Sequence, residues 1–126
     1  MIATATSAPE TDPLAGTSWN VANYNNGRGA VVSVLEGTTL TIAFSSDGQV
    51  SGSAGCNNYF TSYQVNGSNI TIGPAGSGQL LCAEPEGVME QEAEFLAALQ
   101  SAATFSLNSG RLEMRTAGNQ LAIVAN

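Results

Sequence analysis

The chain has 126 residues, a net charge of −7, and charged side chains at only 10% of positions. That length fits one domain with one modest core. Its only basic residues are Arg28, Arg111 and Arg115, so nucleic acid, whose binding needs clustered Lys or Arg, is excluded as a partner and an anionic membrane face is disfavoured.

Residues 1–13 are rich in Ala, Thr, Ser, Pro and acid and show no apolar period. They are expected to form a flexible tether, with the domain proper spanning 14–126. The start has neither a basic region nor a sustained apolar one, so no signal peptide is visible and an exported form would be mature or trimmed. No run of about 18 apolar residues occurs anywhere.

From Leu14 onward the chain reads as short strands cut by turn signals. Trp19, Val21 and Tyr24 belong to a first strand, and Ala30 to Leu35 to a second. Leu40, Ile42 and Phe44 alternate with Thr41 and Ala43, which points one face inward. Val50, Gly52, Ala54 and Cys56 share a face whose small residues admit a close neighbour. Tyr59, Thr61, Tyr63 and Val65 line one side of a fifth strand. Asn66-Gly67 is expected as its two-residue hairpin turn, and Asn69 to Ile72 return. Gly73 to Gly78 is expected as a loop.

One helix is expected from about Gly87 to Ala103. Val88, Met89, Phe95, Leu96, Leu99 and Ala103 mark its apolar stripe, and the acids Glu84, Glu86, Glu90 and Glu92 gather toward its N-terminal end. Glu92 falls within that stripe. It is either a buried anchor accepting hydrogen bonds from strand or loop N–H groups, or an edge residue that reaches solvent. Strands resume at Thr104–Leu107, Arg111–Thr116 and Gln120–Ala125. The resulting fold class is α+β: a small antiparallel β-barrel-like or strongly curved sheet of about eight strands with one α-helix.

Little catalytic chemistry is on offer. There is no histidine or lysine, so a serine nucleophile has no evident base and zinc has no nitrogen ligand. Asp47-Gly48 and Glu84-Pro85-Glu86 supply oxygens without a complete calcium-ligand spacing. No catalytic residue, metal or cofactor is expected. Cys56 and Cys82 are the only cysteines. Two with no spare suggest one disulfide joining a strand to the foot of the helix; two separate buried thiols in a reducing compartment are the other reading. A bond closing 26 positions (82 − 56) would add about 3.5 kcal/mol in the chain-entropy model. Trp19 reads as core, and Tyr59 and Tyr63 as cross-strand packing or a ligand face.

The ordered motifs resemble a known family. Gly52-Ser53-Ala54-Gly55-Cys56-Asn57-Asn58-Tyr59 followed by Tyr63 is similar to the G-x-x-G-C-N-x-Y-x-x-x-Y signature of the META domain, or HslJ-like, family. Gly16-Thr17-Ser18-Trp19 resembles its G-x-x-W opening, and Met89 to Leu99 its M-x-x-E-x-x-F-L-x-x-L helix. The chain departs before Cys82, where it has Gly78-Gln79-Leu80-Leu81 and the family more often has a Thr and a Met. The resemblance implies a barrel-like domain of exported bacterial proteins, often lipoproteins, with a Cys56–Cys82 disulfide and no established catalytic activity. It implies association with stress tolerance, drug resistance, secretion and motility.

Three functional readings follow. The first is a non-enzymatic, disulfide-stabilised envelope domain that binds an unknown protein or small ligand, extracytoplasmic, monomeric, with a possible lipid anchor on the precursor. In it Asn57, Tyr59, Tyr63 and Glu92 hold the strand–helix junction. The second is a proteinase inhibitor that inserts residues 1–13 or the Gly73–Gly78 loop. The third is a small-ligand barrel with a dry cavity among Trp19, Phe44, Phe60 and Phe105.

Overall fold

The structure is a computed structural model describing residues 12–126, so the expected tether lies outside the described residues up to position 11. Among the described residues, ten strands and one helix follow one another. They are β1 (Ser18–Asn25), β2 (Val31–Ser33), β3 (Thr41–Phe44), β4 (Gln49–Ser53), β5 (Asn58–Asn66), β6 (Asn69–Ile72), β7 (Gly76–Ser77), α1 (Val88–Gln100), β8 (Ala102–Asn108), β9 (Arg111–Thr116) and β10 (Leu121–Ala125).

Antiparallel pairing in the order β1-β3-β4-β5-β6-β8-β9-β10, with β10 returning to β1, closes an eight-stranded barrel. The two short strands lie off the ring, β2 beside β1 and β7 beside β5. Closure leaves the ring without free edges. Its thinnest seam is β6–β8, where Asn69 pairs Thr104 and the Phe105 amide donates to the Ser68 carbonyl at 3.0 Å.

The period-2 pattern explains what fills the barrel. Leu40, Ile42 and Phe44 are buried, as are Tyr59, Thr61 and Tyr63, while the residues between them on β5 face out. Phe44 and Tyr63 meet edge to face, with ring centroids 4.9 Å apart. The Asp12–Thr17 segment caps the end where β3 finishes: Leu14 is fully buried, and the Gly16 amide donates to the Phe44 carbonyl at 2.8 Å. Burying one leucine is worth about 1.5–3 kcal/mol. The opposite end, where β3 begins, is covered by α1, which sends Phe95 and Leu99 into the core.

Four local expectations are corrected. The β5–β6 register pairs Asn66 with Asn69, so the two-residue turn is Gly67-Ser68 and not Asn66-Gly67; a positive φ is needed only at Gly67 (66°). The Gly73–Gly78 loop contains β7, whose Gly76 and Ser77 pair with Phe60 and Tyr59. The helix ends at Gln100 rather than Ala103, because Ala102 is drawn into pairing with Thr116. The proposed ring of interior aromatics also fails. Phe44 and Phe105 are core residues, but Phe60 is 62% exposed on the outer face of β5, its ring lying over Gly76.

Candidate functional site

The signature residues converge where the β4–β5 turn meets α1. Gly52 begins it. It pairs across the ladder with Tyr59, and any Cβ at this position would overlap the Thr41 carbonyl. The missing side chain lets β3 come close, and the Tyr59 hydroxyl donates to that same Thr41 carbonyl at 2.7 Å. The Tyr59 ring then packs edge to face on Phe95 of α1, centroid to centroid 5.7 Å. Burial pushes the Tyr59 phenol well above its ordinary range.

Gly55 adopts φ 110° and faces Gln91, Val88 and Leu40, a backbone conformation that glycine adopts without steric cost. The turn it makes aims two successive amides at one carboxylate. Glu92 Oε1 accepts from the Cys56 amide at 3.1 Å and the Asn57 amide at 2.7 Å, and Oε2 accepts from Asn57 Nδ2 at 2.8 Å. Glu92 is 6% exposed. Of the two readings of this residue, the structure has the buried anchor. Hydrogen bonds to an ionised acceptor are about twice as strong as neutral ones.

Asn57 extends the network to the far side. Its Nδ2 also donates to the Leu80 carbonyl at 3.0 Å, and its Oδ1 accepts from the Leu80 amide at 2.9 Å. The side-chain amide thus pairs with one residue of the 78–82 segment as a neighbouring strand would. Gly78 makes room for it, since a Cβ there would sit 2.7 Å from Asn57 Oδ1. Cys56 is bonded to Cys82, Cα to Cα 5.9 Å. One short turn is therefore fixed to the helix by Glu92 and to the following loop by Asn57 and the crosslink.

Tyr63 and Trp19 are not part of this cluster. Tyr63 lies toward the opposite end, where its one hydroxyl proton is shared between Asp12 Oδ2 at 2.7 Å and the Ser45 carbonyl at 2.9 Å. Burial, then the Asp12 hydrogen bond and charge, raise its pKa. Trp19 is half-buried against the core, with Nε1 donating to Thr17 Oγ1 at 2.8 Å.

Gln91 escaped the sequence reading. It is buried beside Glu92, accepts from the Leu35 amide at 2.8 Å and donates to Thr38 Oγ1 at 3.0 Å, tying the β2–β3 loop to α1. Only its place one residue before Glu92 hints at this. A surface cavity of about 440 Å³ runs between Asn25–Gly27 and the Ala93, Ala97 and Ala98 side of α1. Arg28 spans its neighbourhood with a 2.6 Å ion pair to Glu94, whose other oxygen accepts from Tyr24 at 3.4 Å.

The META domain family model matches residues 12–126. Three solved structures share the fold. A Burkholderia xenovorans protein solved by NMR superimposes with a TM-score of 0.73 at 23% identity, covering 94% of this chain and 86% of its own. A second NMR structure gives 0.64 at 19% identity, with 99% and 95% covered. A crystal structure of a DUF4847 family protein from Bacteroides vulgatus gives 0.61 at 17% identity, with 90% and 93% covered. At these identities the likeness extends to the fold alone. No curated protein matches the chain.

Proposed function

The chain belongs to the META domain family, and from that premise we propose that it is a non-enzymatic binding domain of an oxidising, extracytoplasmic compartment, acting as a single chain in protection of the cell envelope under stress. What carries the reading is where the buried polar chemistry is spent. Glu92 holds three N–H groups of one turn, and both atoms of the Asn57 side-chain amide are engaged. The hydroxyls of Tyr24, Tyr59 and Tyr63 each have a partner within the fold. Groups able to act as acid, base or ligand are used to hold loops in place. The Cys56–Cys82 crosslink supports the compartment, because such bonds persist where glutathione and thioredoxin do not reduce them.

The test is complementation. Cells lacking the protein are challenged with envelope stress and supplied with the chain behind an export signal or without one. Rescue by the exported chain alone, with both thiols found oxidised by alkylation and mass measurement, is expected. Rescue by the cytoplasmic chain, or recovery of free thiols from the exported one, contradicts the reading.

A further inference from the structure

The segment 78–82 lies outside the regular strands, between β7 and α1, but is tied to the domain along one side at alternate residues, the pattern of an extended chain. The Gly78 amide donates to the Asn58 carbonyl at 3.2 Å, the Leu80 amide to Asn57 Oδ1 at 2.9 Å, and the Cys82 amide approaches Met89 Sδ at 3.4 Å. Every second amide thus points inward. In extended chain the residues between them present N–H and C=O to the other side. Gln79 and Leu81 are those residues, and among the described residues their backbone groups have no partner. At the same place the chain exposes its two most accessible large apolar side chains, Leu80 at 67% and Leu81 at 87%. Asn57 grips Leu80 on one side of Leu81, and the disulfide grips Cys82 on the other.

We infer that Gln79–Leu81 is a preformed, substrate-like strand that docks in the cleft of a serine endopeptidase whose primary pocket takes an apolar side chain, with Leu81 filling that pocket. This deepens the binding reading above and rests on it. A proteinase cleft offers what this edge lacks: backbone groups that pair with alternate residues of an extended chain, and an apolar slot beside them. Lipid is a poorer host, because the free N–H and C=O groups of Gln79 and Leu81 would enter hydrocarbon unpaired at several kcal/mol each. A second copy is poorer too. Edge-to-edge pairing would bring together two chains of net charge −7, with Glu84 and Glu86 a few residues along. Fixation on both sides of Leu81 removes most of the ordering cost of binding. It also keeps the two halves of the loop together should the bond after Leu81 be cut, so the strand blocks the cleft instead of leaving it.

The experiment uses the oxidised full chain against chymotrypsin, subtilisin and a leucine-accepting elastase, reading hydrolysis of a chromogenic peptide. Competitive inhibition of at least one at micromolar concentration or below is expected. Leu81→Asp should weaken it about 100-fold or more, as for a central buried anchor, while Leu107→Asp, at a leucine exposed elsewhere, should leave it unchanged. Melting curves verify that both variants are folded. The Cys56→Ser/Cys82→Ser pair should turn the chain from inhibitor into a substrate cut after Leu81. Inhibition of none of the three enzymes overturns the proposal, as does equal inhibition by Leu81→Asp. Leu81-dependent sedimentation with phosphatidylcholine vesicles, or Leu81-dependent dimers in ultracentrifugation, without inhibition, also overturns it. None of these failures touches the complementation outcome, which tests the broader reading separately.

Discussion

At the scale of single residues, the strand–helix junction depends on Glu92. Replacing it with Gln keeps the shape but puts an NH₂ group against N–H donors, either the Cys56 and Asn57 amides or Asn57 Nδ2. One donor of the clamp is then left facing another. The loss of a charge-assisted bond and the stranded donor together should cost about 2–4 kcal/mol in urea unfolding. Glu90→Gln, on the exposed side of the same helix, should stay within about 0.5 kcal/mol. Equal effects of the two substitutions would show that the clamp contributes nothing. Glu92 was half legible in the sequence: a carboxylate inside an apolar stripe stands out, yet helical phase alone leaves an edge residue free to turn either way. Gln91 was not legible at all. Its burial depends on the Leu35 amide and Thr38, which reach it from a loop more than 50 positions away. Gly52 could be read as a close-approach site, but the Thr41 backbone that approaches it could not.

At the scale of elements, the crosslink and the helix act together on the 78–87 connection. This segment carries no regular structure between β7 and α1, so its order comes from Asn57, Cys56 and Met89. The Cys56→Ser/Cys82→Ser pair should lose most of the roughly 3.5 kcal/mol that closing the loop provides, lowering the melting temperature by about 10 °C or more. Limited proteolysis should then cut within 79–86 well before the barrel. An unchanged melting point would remove the crosslink from the stability account. Elements whose own side chains alternate, β3 and β5, were readable because burial and period coincide. Gly76–Ser77 was not, since a two-residue strand of small residues exists only through its pairing with β5. The helix end was overrun for the converse reason. Ala102 and Ala103 favour helix locally, but the ladder with β9 pairs Ala102 with Thr116 and Thr104 with Arg115, carrying Ala103 into β8 at the register shift between them.

At the scale of the whole molecule, about eight strands and a barrel-like sheet could be read from turn signals, but not which two strands meet to close it. The β1–β10 pairing sets Val21 against Ala125 and Tyr24 against Ile123, residues about 100 positions apart with no sequence mark of their meeting. Closure places all three tyrosines in or against the core, and each has a raised pKa: Tyr59 by burial, Tyr63 by burial and Asp12, Tyr24 by burial and Glu94. A phenol whose pKa is higher folded than unfolded stabilises the fold fully below the unfolded value near 10.0. That contribution is lost as pH rises from there toward the folded values. Stability should therefore fall above about pH 10, and tyrosinate absorbance should appear cooperatively with unfolding instead of residue by residue. Gradual ionisation of all three in a still-folded barrel would contradict this.

The most direct test of the clamp is amide hydrogen exchange by NMR on the oxidised chain. The amides of Cys56, Asn57, Gly78 and Leu80 should exchange slowly and those of Gln79 and Leu81 fast, and Glu92→Gln should release Cys56 and Asn57 selectively. Uniformly fast exchange across 78–82, with Cys56 and Asn57 no better protected than a free turn, would contradict the account.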